Sequence, residues 1–146
     1  MTLETILLIL LLIKHYIADF PLQSSPYMYQ NKGTWMHPGG LLHAGIHALL
    51  TTFILLFLTF WHTGTPWPLL AFMVGFGIDG WLHYHIDYIK VNITRDCGWS
   101  GVEITSSRPH LAIYNDNYFQ ALGLDQLAHM LTYVGIVFIW SIVRWT

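Results

Sequence analysis

At 146 residues the chain is long enough for one domain, and it is 54% apolar, 16% aromatic and 10% charged, against roughly 25% charge in soluble domains. That balance excludes an ordinary soluble domain and predicts an integral membrane protein. The formal charge of -2, with no basic stripe, excludes nucleic acid as a partner, and a lone Cys97 excludes both an internal disulfide and a thiolate metal site.

The first apolar run carries Glu4 where a signal peptide would be positive, and no small-x-small cleavage site follows, so it reads as a retained helix. It covers residues 3–20, holds Lys14, His15 and Asp19 at its end, and stops at Pro21, because the residue before a proline is pushed out of the α region. A polar loop carrying His37 and Lys32 leads to a second helix over 41–61, with His43 and His47 in its first turns. After a short turn with His62 comes a third helix over 67–91, ending in Asp79, His83, His85, Asp87 and Lys90. Residues 92–117, with Arg95, Asp96, Glu103, Arg108, His110 and Asp116, are expected to be a surface loop containing a short interfacial helix. The last helix runs over 118–144 and opens with Asp125, Gln126 and His129. Each helix is near the roughly 17–25 residues that a bilayer requires, so the predicted fold is all-α: an integral membrane four-helix bundle in a single transmembrane domain. Gly45, Gly75, Gly77 and Gly80 are expected to serve close packing between helices.

Lys32, Lys90, Arg95 and Arg108 fall on one side of this arrangement and Arg144 on the other. The positive-inside rule then predicts a multi-pass inner-membrane protein with both termini outside the cytoplasm, and Trp61, Trp67, Trp140 and Trp145 form an aromatic belt at the outer face.

Four polar clusters stand out. His15 and Asp19, His43 and His47, Asp79, His83 and Asp87, and Asp125 and His129 are each spaced by four residues, so each points one way from its helix. With successive helices antiparallel, all four clusters lie in one leaflet, roughly 5–15 Å below the cytoplasmic rim. Carboxylates and imidazoles are costly there without partners, and their types suit a divalent metal, zinc first and then manganese or iron, as one ion or two. The expected ligands are His15, His43, His47, Asp79, His83, Asp125 and His129, with Asp19 and Asp87 as general base or orienting carboxylates, and Lys32 and Lys90 holding a phosphate or headgroup. The plainer alternative is a hydrogen-bonded network that only fixes helix packing. His85 faces away from the stripe, Lys14 and Lys90 are placed to snorkel to the headgroups, and His37, His62 and His110 read as solvated loop residues.

The ordered set His15-x-x-x-Asp19-Phe20-x-x-Gln23, Lys32, His43, His83-x-x-x-Asp87-x-x-Lys90 and Asp125-Gln126-x-x-His129 resembles the membrane family known as domain of unknown function 3307, found in bacteria and their viruses. The resemblance spans nearly the whole chain and implies a small multi-span membrane protein; it brings no activity with it. From the residues, the leading expectation is a metal-dependent hydrolase of a lipid-linked or membrane-embedded substrate, with di-iron oxidation as a variant. Two other classes stay open: an ion or proton transport component, and a non-catalytic membrane accessory subunit.

Overall fold

Thr2 opens the first helix, α1 (Leu3–Asp19): its hydroxyl accepts the Thr5 N–H at 3.3 Å, and Glu4 in the first turn faces the positive end of the helix dipole. The computed structural model describes residues 1–64, 67–99, 102–104, 112–114 and 116–144. On α1 the buried positions are Leu7, Leu11, Lys14, His15 and Ala18, so one stripe is apolar in its first half and polar in its second. The residues facing outward, among them Ile9, Ile13 and Tyr16, are exposed and apolar or aromatic.

The chain then makes a short helix, α2 (Pro26–Tyr29), and folds back so that the Met36 N–H donates to the Tyr84 hydroxyl at 2.6 Å. Met36 has a φ of 54°, a left-handed backbone that a side chain rarely adopts, held here by that bond. His37 is the cap of α3 (Pro38–Thr63), its Nδ1 accepting from the Gly39 N–H at 3.0 Å. Gly64 ends α3 in the left-handed conformation that glycine adopts without strain. His62 lies in the last helical turn rather than in a loop, and is exposed.

The third predicted helix is one helical run of three geometries. It consists of α4 (Pro68–Phe72), a π-helical segment (Met73–Gly80) and α5 (Trp81–Asp96). Gly75 and Gly80 in the π segment press directly onto α3: a methyl group on Gly75 would collide with Thr52 Oγ1 and the Ala48 carbonyl, and one on Gly80 would meet Ala48 at 2.9 Å. Gly77 and Gly45 have nothing within 4 Å of that position, so only two of the four glycines serve close approach.

Past residue 91 the structure departs from the expected loop with an interfacial helix. The helix continues to Asp96, where Asn92 and Thr94 return side-chain hydrogen bonds to the Tyr88 and Lys90 carbonyls. Two short antiparallel strands follow, β1 (Val102–Ile104) and β2 (Ala112–Tyr114), with Val102 opposite Tyr114. Their β-branched and aromatic residues favour the extended chain. Arg108, His110 and Trp145 lie outside the described residues.

The last helix is α6 (Asp116–Arg144). The long segments close a ring of contacts: α1 on α3 and α6, α3 on the π segment and α5, and α5 on α6. One half of the interior is apolar, built by Leu7, Leu11, Leu55, Leu58, Val74, Tyr133, Ile136 and Trp140. Trp140, expected in an aromatic belt, is instead buried there against Trp67, with ring centroids 6.2 Å apart, while Trp61 is exposed. Among the described residues two helical stretches, Pro38–Thr63 and Asn117–Val143, are long and apolar enough to cross a membrane, with mean hydropathies of 2.0 and 1.6.

The glycine contacts give a direct test. Gly75→Ala is expected to lower unfolding stability by about 1–3 kcal/mol through overpacking, whereas Gly45→Ala, on an open helix surface, is expected to raise it by about 0.5–1 kcal/mol. Thermal unfolding of the two purified variants checks the pair; equal effects would mean that α3 and the π segment are not in the contact described.

Candidate metal centre

The other half of the interior is polar. Its centre forms where the loop ends of α1, α3, α5 and α6 meet, and every contributing side chain stands on a period-four stripe. Asp19, in the last turn of α1, aims Oδ1 at three imidazoles: His43 Nε2 at 3.1 Å, His47 Nε2 at 3.2 Å and His83 Nε2 at 3.7 Å. His43 Nε2 and His83 Nε2 are 3.0 Å apart, and the His47 and His83 rings stack with centroids 3.5 Å apart. These four residues offer donor atoms that all lie within 4.8 Å of one another, close enough to share a metal ion. A second such group, His83, Asp87 and His129, shares His83 with the first.

The donor atoms are close but poorly satisfied. Among the described residues, Asp19 Oδ1, His47 Nε2, Asp87 Oδ2 and His129 Nε2 have no partner with hydrogen-bond geometry, nor do the Nδ1 atoms of His43 and His83. Several of these atoms have charged or polar neighbours within ion-pair distance; the contacts are near but misdirected. A buried polar atom left this way costs about 1–3 kcal/mol. His129 shows the arrangement most clearly. Its Nδ1 donates to the Asp125 backbone carbonyl at 2.9 Å, which leaves Nε2 with a free lone pair, and its ring lies beside that of His83 with centroids 4.1 Å apart.

Around this centre His15, Lys14, Asp79 and Lys32 are paired. Both nitrogens of His15 are engaged: Nδ1 with the Tyr133 hydroxyl at 2.9 Å, and Nε2 with Gln126 Oε1 at 3.0 Å and Asp19 Oδ2 at 3.1 Å. Since Gln126 Oε1 and Asp19 only accept, Nε2 carries the proton and His15 fixes the orientation of Asp19. One turn deeper, Asp79 takes Lys14 Nζ and the Thr51 hydroxyl, each at 2.5 Å. Lys14 also lies 3.2 Å from His47 Nδ1; it is 4% exposed, far from the snorkelling position expected of it. The loop before α3 inserts Lys32 from above, 2.6 Å from Asp87 Oδ2, where Gln23 Oε1 accepts from it at 2.9 Å. Lys90 stands 3.8 Å from Asp125. His85 stacks on Trp81 with centroids 3.8 Å apart, outside the centre.

Of the side chains singled out in the sequence, the structure therefore brings Asp19, His43, His47 and His83 into one group and Asp87 and His129 into its neighbour. It leaves His15, Asp79 and Asp125 outside both groups. Lys32 and Lys90 are engaged by carboxylates. Tyr133 and Thr51 acquire roles that no motif announced. A period-four count would have found both: Tyr133 continues the stripe of Asp125 and His129, and Thr51 that of His43 and His47.

The charges balance unevenly. Lys14 answers Asp79, Lys32 answers Asp87 and Lys90 answers Asp125. Among the described lysines and arginines Asp19 has only Lys32, at 4.0 Å, so it is the carboxylate left over, and it is the one facing three imidazoles.

Fold and site together define a helical protein with two helices apolar enough for a membrane and a buried His/Asp group with the means to hold a metal ion. The chain belongs to the family described as Protein of unknown function (DUF3307), whose sequence model matches residues 7–146. No curated protein and no solved structure matches it.

The Lys14–Asp79 pair yields a prediction that is independent of any metal. Lys14→Met strands a buried carboxylate and is expected to cost about 3–5 kcal/mol, whereas Lys14→Met combined with Asp79→Leu recovers most of it. A double-mutant cycle by thermal unfolding measures this; additive losses would show that the two side chains do not pair.

Proposed function

We propose that the chain is an integral membrane metalloprotein that hydrolyses a lipid-linked or membrane-embedded substrate. In this reading Asp19, His43, His47 and His83 hold a divalent ion, zinc by donor type. The observation that carries the reading is the spacing of the donors. Their separations of 3.0, 3.1, 3.2 and 3.7 Å bracket the roughly 3.3–3.4 Å edge of a tetrahedral zinc site with bonds of about 2.0–2.1 Å. The surplus negative charge of Asp19 and the unsatisfied donor atoms point the same way.

The membrane reading rests on the reversal of polarity between inside and outside. Phe53, Phe57 and Phe60 on α3 and Leu131, Val134 and Phe138 on α6 are all exposed, while His43, His47, Asp79 and His83 are buried. Water would penalise that arrangement and hydrocarbon favours it. We place all four long helical segments across an inner membrane, with the site toward the cytoplasm, where Lys32, Lys90 and Arg95 gather, and both termini outside.

With one of the four donors released, a bound zinc ion would lower the pKa of the water in its place toward neutrality. The chain's own residues do the rest. Asp87 stands beside His43 and His83, each 3.4 Å from its Oδ2, in position to take a proton. Lys32, 2.6 Å from that carboxylate, presents a cation for an anionic leaving group. His15 holds Asp19 in place, and Lys14 with Asp79 braces His47.

A second reading has a specific observation behind it. Four protein donors fill a tetrahedral zinc, which is the mark of a structural site. Under it the chain is a non-catalytic accessory subunit clamped by its metal.

Protein purified in detergent without chelator is expected to carry close to one equivalent of zinc by elemental analysis. His43→Ala and His47→Ala are expected to lose it, and His15→Gln to bind it about 10–100-fold more weakly. Absence of any transition metal would end both readings. Metal retained with no hydrolysis of any lipid phosphoester, amide or ester offered in vesicles would favour the accessory subunit.

A further inference from the structure

The four donors assigned to the first ion leave two buried groups over. His129 is 1% exposed, and its Nδ1 donates to the Asp125 carbonyl. The neutral ring therefore carries its lone pair on Nε2, which among the described residues has no hydrogen-bond partner. An imidazole whose other nitrogen donates to a backbone carbonyl is in the tautomer and orientation that metal ligation uses. His129 is prepared in this way and the three imidazoles of the first group are not: Nδ1 of His43 and of His83 has no partner, and Nδ1 of His47 faces Lys14 at 3.2 Å. Asp87 Oδ2 is likewise buried without a bond of good geometry, with Lys32 Nζ at 2.6 Å and His83 Nε2 at 3.4 Å. His83, Asp87 and His129 offer donor atoms within 4.8 Å of one another. An ion held by the first group satisfies neither His129 Nε2 nor Asp87 Oδ2.

We infer that the centre takes a second divalent ion, held by His83, Asp87 and His129 more weakly than the first. The inference rests on the metal reading above and gives that site its regulation. Two neutral imidazoles and one carboxylate select a cation of the zinc type over magnesium or calcium, which take oxygen donors. The lower affinity has a cause in the structure. Lys32 stands on Asp87 and repels a cation there, while the carboxylate's two oxygens, with about four lone-pair sites, accommodate both. His83 Nε2 is the atom near Asp19 and Asp87 alike, at 3.7 and 3.4 Å, and it serves one ion at a time. Filling the second site therefore takes His83 from the first, which keeps Asp19, His43 and His47 and gains an open position. That is the released donor on which hydrolysis depends. Asp87 serves here as a ligand, in place of the proton-accepting part it has in the one-ion reading.

The test dialyses the full chain, purified in detergent without chelator, against buffers of set free zinc, with zinc alone as the probe. The wild-type protein is expected to keep its first equivalent and to take up a second as free zinc rises. His129→Ala should lose the second equivalent and keep the first. Lys32→Gln, which removes the like charge beside Asp87, should tighten the second equivalent about tenfold, a gain that damage to the fold does not produce. Cobalt loaded in place of zinc should give a spin-coupled resonance signal at two equivalents, absent in His129→Ala. Uptake that stops at one equivalent would overturn the inference and leave the metalloprotein reading standing; no bound zinc at all would end both. A second equivalent that His129→Ala retains, or two cobalt ions without coupling, would mark the extra ion as adventitious and overturn the inference. A single equivalent that His129→Ala loses and His47→Ala keeps would put a lone ion in the second group, overturning the ligand set of the first site and the two-ion centre together.

Discussion

Three imidazoles brought against one carboxylate oxygen in a buried space is the constraint around which the chain is built. Among the described residues nothing supplies that oxygen with a dedicated cation, because each of the nearby lysines is engaged by another aspartate. The surrounding pairs appear at three levels: Lys32 with Asp87 above, His15 with Tyr133 and Gln126 at the side, and Lys14 with Asp79 and Thr51 below. Each level neutralises its own charge and fixes one central side chain. What remains at the centre is a negative oxygen and a set of lone pairs, the arrangement that a buried cation would stabilise and that an apolar bundle alone would not tolerate.

That centre needs the helices held close on one side and polar at one end only. Gly75 and Gly80 let the π segment lie against α3, where any larger residue would hold it away, and Asp79 sits between them in reach of Thr51. The wider turn of a π segment disturbs the regular i,i+4 ladder, and this one ends at Gly80, immediately before the turn that carries His83. On α1 the interior changes character within one helical turn: Leu11 belongs to the apolar cluster, and Lys14 to the polar one. Local packing and site geometry are therefore the same problem at Gly75 and Gly80.

The polar stripes were legible from spacing because a helix fixes direction: residues four apart share a face whatever surrounds them. So the convergence of Asp19, His43, His47 and His83 could be anticipated, as could the turning away of His85. Spacing carries no information about which member of a stripe meets which partner at a given depth. His15 and Asp79 sit on the correct faces, yet each is consumed by neighbours contributed by other helices: Tyr133 and Gln126 for one, Lys14 for the other. Lys14 misled for a related reason. A lysine near a helix end ordinarily extends outward, and only the presence of a carboxylate 65 positions further along the chain holds it inside. The strand pair beyond Asp96 is not legible because four β-prone residues, Val102, Ile104, Ile113 and Tyr114, in two three-residue runs make a weak pattern inside a polar connection.

His83 is where the chemical character of the centre is decided. Its ring stacks on His47 and lies beside His129, and it belongs to both groups of potential ligands. An imidazole nitrogen serves one ion at a time. Were a zinc ion bound with His83 beside Asp19, His43 and His47, those four residues would fill a tetrahedral site. Were His83 instead to serve Asp87 and His129, the first group would keep three donors, the number that a catalytic zinc site uses. The two groups are thus alternatives joined by one side chain. His129, with its Nδ1 proton on the Asp125 carbonyl and its Nε2 without a hydrogen-bond partner among the described residues, is the second imidazole of the group that shares His83.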